Sequence, residues 1–383
     1  MKKVNILTLL LFLMISFGAV LLPMNEVKIS IRCDNKEVMK KLYSYVKGNN
    51  LFELKELFDT LPDDFDVNQR IEFLQNTLLQ TAVQGNCVDV VQLLLEKGAD
   101  INVVTPDSWT VLMLAADSGH AEVVKLLLDN DVDVDVVDDD GMTALMLAAE
   151  AGQTAVVDLL LFTSAKINTE DNDGKTALMF AVINGHIKVV EVLLLRGADA
   201  HLVSDDGITA LMLAAEEGNV EIVRLLLSKV SDVNETTTSF TALMFAAKNG
   251  HADIISELLL RAADVDVAGE DGTTALILAA ENGHNAAVEL LLPRVANVNA
   301  QDENGKTALT LAAEKGHVAV VDLLLAYIAD VYLEDDDGNT ALTLAIENGN
   351  DEVVKLLENK IQSLELSSFP FEGEGGGGGA SAD

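Results

Sequence analysis

Two copies of the tripeptide Gly-Lys-Thr, at residues 174–176 and 305–307, have the residue types that end a phosphate-binding loop. Such a loop also needs a glycine five residues before the glycine of this tripeptide, so that backbone N–H groups can cradle the phosphates. Thr169 and Ala300 occupy those two positions, and neither copy follows the pattern of a parallel-sheet strand. The sequence therefore predicts no nucleotide binding.

Runs of aspartate before a glycine, at residues 138–140 and 335–337, offer the oxygen ligands that calcium prefers. An EF-hand loop needs an aspartate five residues before its glycine and a bidentate glutamate six residues after it. Around the first run these two positions are occupied by Val136 and Leu147, and around the second run both are occupied by leucine. EF-hands are therefore excluded. Loose cation binding at these turns stays open, and we predict no defined metal site.

Five of the six histidines directly follow a glycine: His120, His186, His251, His284 and His317. Because these histidines lie far apart at regular intervals along the chain, we do not expect them to bind one metal ion together. We interpret each as a residue that opens a helix. No serine, cysteine or carboxylate recurs beside them in the pattern of a catalytic triad or an acid–base pair. We therefore predict that the protein is not an enzyme and uses no cofactor.

The charge balance limits the class of partner. The 383-residue chain has 62 acidic and 25 basic residues, which give a formal net charge of -37. Nucleic acids and anionic membranes bind clustered lysine and arginine, so this balance argues against both. It favours a protein partner with a basic surface. Because 49% of the residues are hydrophobic but only 4% are aromatic, leucine, valine and alanine must build most of the core.

The two ends of the chain differ in composition from its middle. Two lysines precede an uncharged apolar run at residues 4–25, with Ser16 and Gly18 at the spacing that a signal peptidase accepts. We predict that residues 1–24 are a signal peptide and that the protein is exported; an uncleaved membrane anchor is the alternative. Export would permit a disulfide between Cys33 and Cys87. Residues 361–383 are acidic and glycine-rich, which predicts a disordered tail.

A period of 33 residues organises the region between these ends. It is marked by nine threonines in register, with one step of 32 residues, and each is followed two residues later by leucine: Thr77, Thr110, Thr143, Thr176, Thr209, Thr241, Thr274, Thr307 and Thr340. In each unit the threonine is a candidate N-cap of a short apolar helix, a glycine ends that helix, and a second amphipathic helix follows. Two such helices cannot bury their apolar faces alone, so the units must stack.

The pattern G-x-T-A-L-x-x-A-A-x-x-G-H-x-x-V-V-x-L-L-L, seen at residues 305–325, strongly resembles the ankyrin repeat family, with the export features of a bacterial-type secreted or envelope member. The resemblance covers about three quarters of the chain, residues 74–360, and implies an all-α solenoid of stacked helix-turn-helix pairs with β-hairpin-like turn tips. Residues 25–73 are predicted to form a helical N-terminal cap that contains a degenerate repeat.

Departures from the family pattern raise two structural questions. The family's usual Thr-Pro-Leu-His is here Thr-Ala-Leu-Met or a variant of it, so the histidine that would brace the threonine turn is missing. The glycine after the second helix is replaced by larger residues, for example Asp131, Val295 and Ile328. Those residues are strained if the position requires positive φ, or else the turn geometry changes. The repeat unit around residues 236–240 is also one residue shorter than the others. This reflects either sequence drift or a bend in the solenoid at this point.

Acidic residues recur on the side of the first helix that lines the concave face in the ankyrin family. This column holds Asp117, Glu150, Glu216, Glu281, Glu314 and Glu347, interrupted by Ile183 and Lys248. The preceding turns add Asp139, Asp140, Asp205, Asp206, Asp271, Asp336 and Asp337. We expect these side chains to bind a basic protein partner, with the solenoid as a monomer. A solvated acidic face without a partner is the alternative for the column.

The resulting hypothesis is an exported, non-enzymatic scaffold for protein–protein interaction. Two other functions stay open: a membrane-anchored structural repeat protein of the cell envelope, and an inhibitor or modulator of another protein's activity. Contact with a membrane is expected only through an uncleaved N-terminal segment.

Overall fold

The structure, a computed structural model, describes residues 35–62, 64–70, 76–236 and 240–368. Within these ranges the chain forms helices, turns and isolated antiparallel bridges, such as Glu170 to Thr176. Each bridge closes the turn that precedes a first helix, as the prediction of hairpin-like tips required. The predicted signal peptide or anchor, Cys33 and residues 369–383 of the predicted tail lie outside the described residues.

The first helix of each repeat begins directly after the threonine that marks the period. These helices are α3 (Leu78–Gln84), α5 (Val111–Asp117), α7 (Ala144–Glu150), α9 (Ala177–Ile183), α11 (Ala210–Glu217), α13 (Ala242–Asn249), α15 (Ala275–Glu281), α17 (Ala308–Lys315) and α19 (Ala341–Glu347). Each threonine has extended backbone angles, and its hydroxyl accepts a hydrogen bond from the third helical N–H, as Thr143 does from Met146. The threonines therefore act as N-caps, as predicted.

The second helices complete the pairs. They are α4 (Val88–Glu96), α6 (Ala121–Leu128), α8 (Thr154–Phe162), α10 (Ile187–Leu195), α12 (Val220–Leu227), α14 (Ala252–Leu260), α16 (Asn285–Leu291), α18 (Val318–Ala326) and α20 (Asp351–Ser368). Two further helices, α1 (Asn35–Lys47) and α2 (Leu51–Phe58), pack in the same order ahead of the first repeat. Helix α20 continues past residue 360, the predicted end of the array.

Alanine and leucine at fixed positions build one continuous core. Ala148 and Ala149 of α7 are fully buried, and Leu145 is almost so. First helices of neighbouring repeats contact each other more extensively than second helices do, and the small alanine side chains permit this contact. Each buried leucine contributes about 1.5–3 kcal/mol, and the contribution recurs in every repeat.

The position after the second helix is left-handed in some repeats and rebuilt in others, so both sequence-based alternatives occur. Asp131, Ser164, Ala262 and Ile328 have φ values of 56°, 74°, 60° and 62°. By contrast, Val295 has a φ of -70°, because a 3₁₀ turn at Leu292–Arg294 precedes it. A β-branched side chain in the left-handed region is strained, so the strain predicted from the sequence applies at Ile328 but not at Val295.

The missing brace of the threonine turn has substitutes on the same helix. In α17 the hydroxyl of Thr310 accepts from the backbone N–H of Thr307 at 2.7 Å and donates to the carbonyl oxygen of Thr307 at 2.9 Å. In α5 the sulfur of Met113 accepts from the N–H of Thr110 at 3.3 Å. In these repeats the residue three positions after the threonine takes over the bracing role, whereas Ile277 in α15 has no acceptor to do so.

Candidate functional site

In several of the described turn tips before the first helices, one side chain at the start of the turn holds its shape. Asp335 is buried, and its carboxylate accepts backbone N–H bonds from Asp337 at 3.1 Å and Asn339 at 2.7 Å. Asp138, also buried, makes the same two bonds in its own turn. The first acid of each aspartate run therefore holds the turn in shape, and the acids after it are left to face solvent.

Backbone hydrogen bonds join the tips of neighbouring repeats. The N–H of Asp205 donates to the carbonyl oxygen of Asp173 at 2.9 Å, and the N–H of Asp336 donates to that of Asn304 at 3.0 Å. Gly174 has a φ of 74°, and a Cβ there would lie 2.7 Å from the backbone nitrogen of Asp205. The glycine of the Gly-Lys-Thr tripeptide is therefore needed for contact between tips, and Lys175 pairs with Asp173 at 3.1 Å.

The tip acids predicted from the sequence divide into two groups. Six of them are exposed: Asp139, Asp140, Asp205, Asp206, Asp336 and Asp337. The seventh, Asp271, is half-buried, and its carboxylate accepts from the N–H of Thr273 at 2.9 Å. Asp271 thus helps to hold its own turn, where Gly269 replaces the aspartate, serine or threonine that does so in other repeats.

The acidic column lies at the ends of the first helices, as its register requires. Glu150 and Glu347 are exposed, whereas Asp117, Glu216, Glu281 and Glu314 are half-buried. Among the described residues, five of the six have no cation within salt-bridge distance; Glu314 pairs with Lys306 at 2.6 Å. The hydrogen bond to Glu314 raises the pKa of Lys306 above its ordinary value.

Each histidine at the start of a second helix connects two repeats, which was not predicted from the sequence. The Nε2 atom of His284 lies 3.0 Å from the carbonyl oxygen of Lys248, and that of His317 lies 2.9 Å from the carbonyl oxygen of Glu281. Because a carbonyl only accepts, Nε2 carries the proton in both. The histidines therefore cap the first helix of the preceding repeat at the column position. The 33-residue spacing was the available signal for this role.

A groove of about 650 Å³ brings part of the predicted site together between first helices and turn tips. It is lined by Phe240, Lys248, Asp271, Thr273, Ile277, Leu278, Glu281, Asp302, Asn304, Lys306, Leu311, Asp336 and Asp337. Its charged groups are five carboxylates and two ammonium groups, one of which is paired with Glu314. We call this feature the acidic groove.

The acidic groove contains four of the residues predicted from the sequence: Asp271, Glu281, Asp336 and Asp337. It does not include Asp117, Glu150, Glu216, Glu314, Glu347, Asp139, Asp140, Asp205 or Asp206, which lie elsewhere in the array or beside the groove. Asp302 and Asn304 were missed, although they occupy the positions that Asp335 and Asp337 occupy one period later. The period would have found Asn304, because Asp337 was predicted, but not Asp302, because Asp335 was not.

Metal binding and membrane crossing have no site in the part of the chain that the structure describes. That part contains no group of three or more histidine, cysteine, aspartate or glutamate side chains placed to hold a metal ion. None of its helices combines the length and the apolar character needed to cross a bilayer. Cys87 is a buried free thiol, and burial raises its pKa.

Comparison with known proteins agrees with this architecture. A family model described as "Ankyrin repeats (3 copies)" matches overlapping segments of the chain: 29–138, 78–171, 112–204, 192–269, 211–302, 243–335 and 276–365. This chain belongs to the ankyrin repeat family. The Notch-regulated ankyrin repeat-containing proteins of Homo sapiens, Mus musculus and Xenopus tropicalis are each 31% identical to it over 85 residues. That match covers 22% of this chain and 74% of each relative. Ankyrin repeats generally mediate protein–protein interaction.

Proposed function

We propose that this ankyrin repeat protein is an exported, non-enzymatic scaffold whose acidic groove binds an extended basic segment of another protein. The observation that carries the proposal is the acidic groove itself, where carboxylates outnumber ammonium groups on a rigid surface. Glu281 and Asp337 have no partner cation among the described residues, so a bound lysine or arginine would be their first counter-ion. Neighbouring carboxylates about 9 Å apart repel by roughly 0.5 kcal/mol in water, which a basic ligand relieves.

The spacing of the repeats favours a particular ligand geometry. Stacked helices lie about 8–10 Å apart, so the acidic tips recur at about that interval. A polyproline II segment advances about 9 Å per three residues and returns each third side chain to the same face. A segment with lysine or arginine at every third position would therefore place one cation opposite each repeat. Because the tips are already joined by hydrogen bonds between repeats, little ordering cost opposes binding.

Proline-rich lysine peptides test this proposal in isothermal titration. A peptide with lysine at every third position should bind, and should bind more weakly as added salt screens the groove. A peptide of identical composition with its lysines clustered should bind less tightly. Equal affinity for both peptides would leave a basic ligand but remove the repeat-matched geometry. Absence of binding by either peptide at low salt would contradict the proposal.

Export rests on residues 1–24 and has its own test. Sequencing the N-terminus of the mature protein should find a start near Ala19 if the segment is a cleaved signal peptide. An intact N-terminus in the membrane fraction would instead favour the anchored envelope protein. Affinity capture from the exported fraction, at low and at high salt, would identify the partner. It would also separate a scaffold from an inhibitor, since the captured protein's activity can be measured with and without the array.

A further inference from the structure

Helix α1 is a basic element on a strongly acidic chain. Its four lysines and one glutamate give it a net charge of +3, against -37 for the whole protein. The buried face of α1 consists of Met39, Leu42 and Val46, which pack in the core of the cap. Lys40, Lys41 and Lys47 are exposed on the remaining surface of the helix, where Lys40 and Lys47 share one flank.

Half-buried tyrosine rings of α1 lie beside two of these lysines, and an exposed phenylalanine follows on α2. The ammonium of Lys41 lies 5.8 Å from the centre of the Tyr45 ring, and that of Lys47 lies 5.9 Å from the centre of the Tyr43 ring. Phe52, at the start of α2, is 68% exposed. Aromatic rings among lysines are typical of surfaces that contact the interface of a lipid bilayer, where the ring lies at the depth of the headgroups.

Local rather than total charge decides what this surface can bind. Lys40, Lys41 and Lys47 are exposed and have no carboxylate within salt-bridge distance among the described residues. Glu37 on α1 and the glutamates of α2 are the nearest acids along the chain and reduce the charge only in part. The acidic groove begins about five repeats away, roughly 40–50 Å, whereas the Debye length in physiological salt is about 8 Å. The groove therefore does not cancel the field of α1.

We propose that the exposed face of α1, with Lys40, Lys41, Lys47 and Phe52, docks on an anionic lipid surface. The lysines contact the headgroups, and the exposed ring of Phe52 lies at the same depth. The array then extends away from the membrane, and the acidic groove lies in solvent. At that distance the groove's carboxylates do not repel the anionic lipid. This surface does not depend on the proposed ligand of the groove.

Vesicle sedimentation of the full-length chain tests the proposal. Wild-type protein should bind phosphatidylcholine vesicles that contain about 30% phosphatidylserine more tightly than vesicles of phosphatidylcholine alone. Each lysine near an anionic surface contributes about fivefold in affinity, so Lys40→Gln, Lys41→Gln and Lys47→Gln together should weaken binding on the order of 100-fold. A control with the same change in charge replaces exposed lysines elsewhere in the array: Lys125, Lys229 and Lys355. This control should bind as the wild type does.

Three results would overturn the proposal. One is equal binding to neutral and anionic vesicles, which would assign binding to the apolar run at residues 4–25. Another is an equal loss in the α1 variant and in the control variant, since total charge would then be responsible. The third is self-association in sedimentation velocity that the α1 variant abolishes while vesicle binding is absent. The surface would then bind the acidic groove of a second copy. Circular dichroism of both variants checks that the fold is unchanged.

Discussion

Replacing Ile328 with glycine should stabilise the protein, although isoleucine is the larger and more hydrophobic residue. Ile328 follows α18 with a φ of 62°, in the left-handed region where an L side chain meets its own backbone. Its side chain is 79% exposed, so only about a fifth of its surface is buried. The equivalent positions Gly98 and Gly197 have φ values of 85° and 93°, and no neighbour lies within 4 Å of a Cβ built there. The conflict at this position is therefore one of backbone conformation.

Three terms set the size of the effect. A non-glycine residue in the left-handed region costs about 1–3 kcal/mol, and β-branching places isoleucine in the upper half of that range. Against this, glycine lowers the free energy of unfolding by about 0.5–1 kcal/mol, because it makes the unfolded chain more flexible. Losing a fifth of the burial of the isoleucine side chain costs about 0.3–0.6 kcal/mol. The expected net gain for Ile328→Gly is therefore about 1 kcal/mol.

Urea denaturation followed by circular dichroism measures this gain. With a slope of about 3 kcal/mol/M, the midpoint should rise by about 0.3 M. Val137→Gly is the matched control, because Val137 is also branched and 47% exposed but is absent from the left-handed residues. The control should lower the midpoint. If Ile328→Gly lowers the midpoint as Val137→Gly does, the strain argument is refuted.

Two further predictions concern hydrogen bonds within and between repeats, and a third concerns the burial of Cys87. Asp335→Ala should cost about 2 kcal/mol in thermal unfolding, because two backbone N–H groups lose their acceptor, whereas Asp337→Ala should change stability by less than about 0.5 kcal/mol. His284→Leu should cost about 1 kcal/mol, since the carbonyl of Lys248 loses its donor; no change in the unfolding midpoint would show that this contact is not made in solution. The raised pKa and the burial of Cys87 should make its alkylation at pH 8 much slower than that of a free thiol, and urea should remove this protection; fast labelling of the folded protein would contradict its burial.

The fold could be predicted from the sequence because its determinants are local and repeated. Thr143 and Ala148 serve the same purpose in their repeat as Thr307 and Ala312 do in theirs, so nine copies of one pattern specify both helices and their stacking. The strain question at residue 328 could also be posed from the sequence. Its answer required the backbone, because Val295 avoids the left-handed region by a rebuilt turn and Ile328 does not.

The candidate site was predictable only in part, because side chains of one residue type have different roles at neighbouring positions. Asp335 and Asp337 are both acids in one run, yet only Asp335 is buried and holds the turn. Which acids line a shared groove depends on how successive repeats are placed. Here Glu281 lines the groove together with acids from the turn tips of the next two repeats. The basic face of α1 was concealed by the total charge, which sums over a chain many Debye lengths long.

The claim that the acidic groove binds a basic ligand is tested most directly by charge reversal inside and outside it. Glu281→Lys with Asp337→Lys changes the groove, and Glu289→Lys with Asp322→Lys makes the same change in charge on the second helices of the same part of the array. In isothermal titration with the peptide that has lysine at every third position, the groove variant should lose at least about tenfold in affinity, while the control stays close to the wild type. Equal losses in both variants, or wild-type affinity in the groove variant, would contradict the assignment of the groove as the binding site.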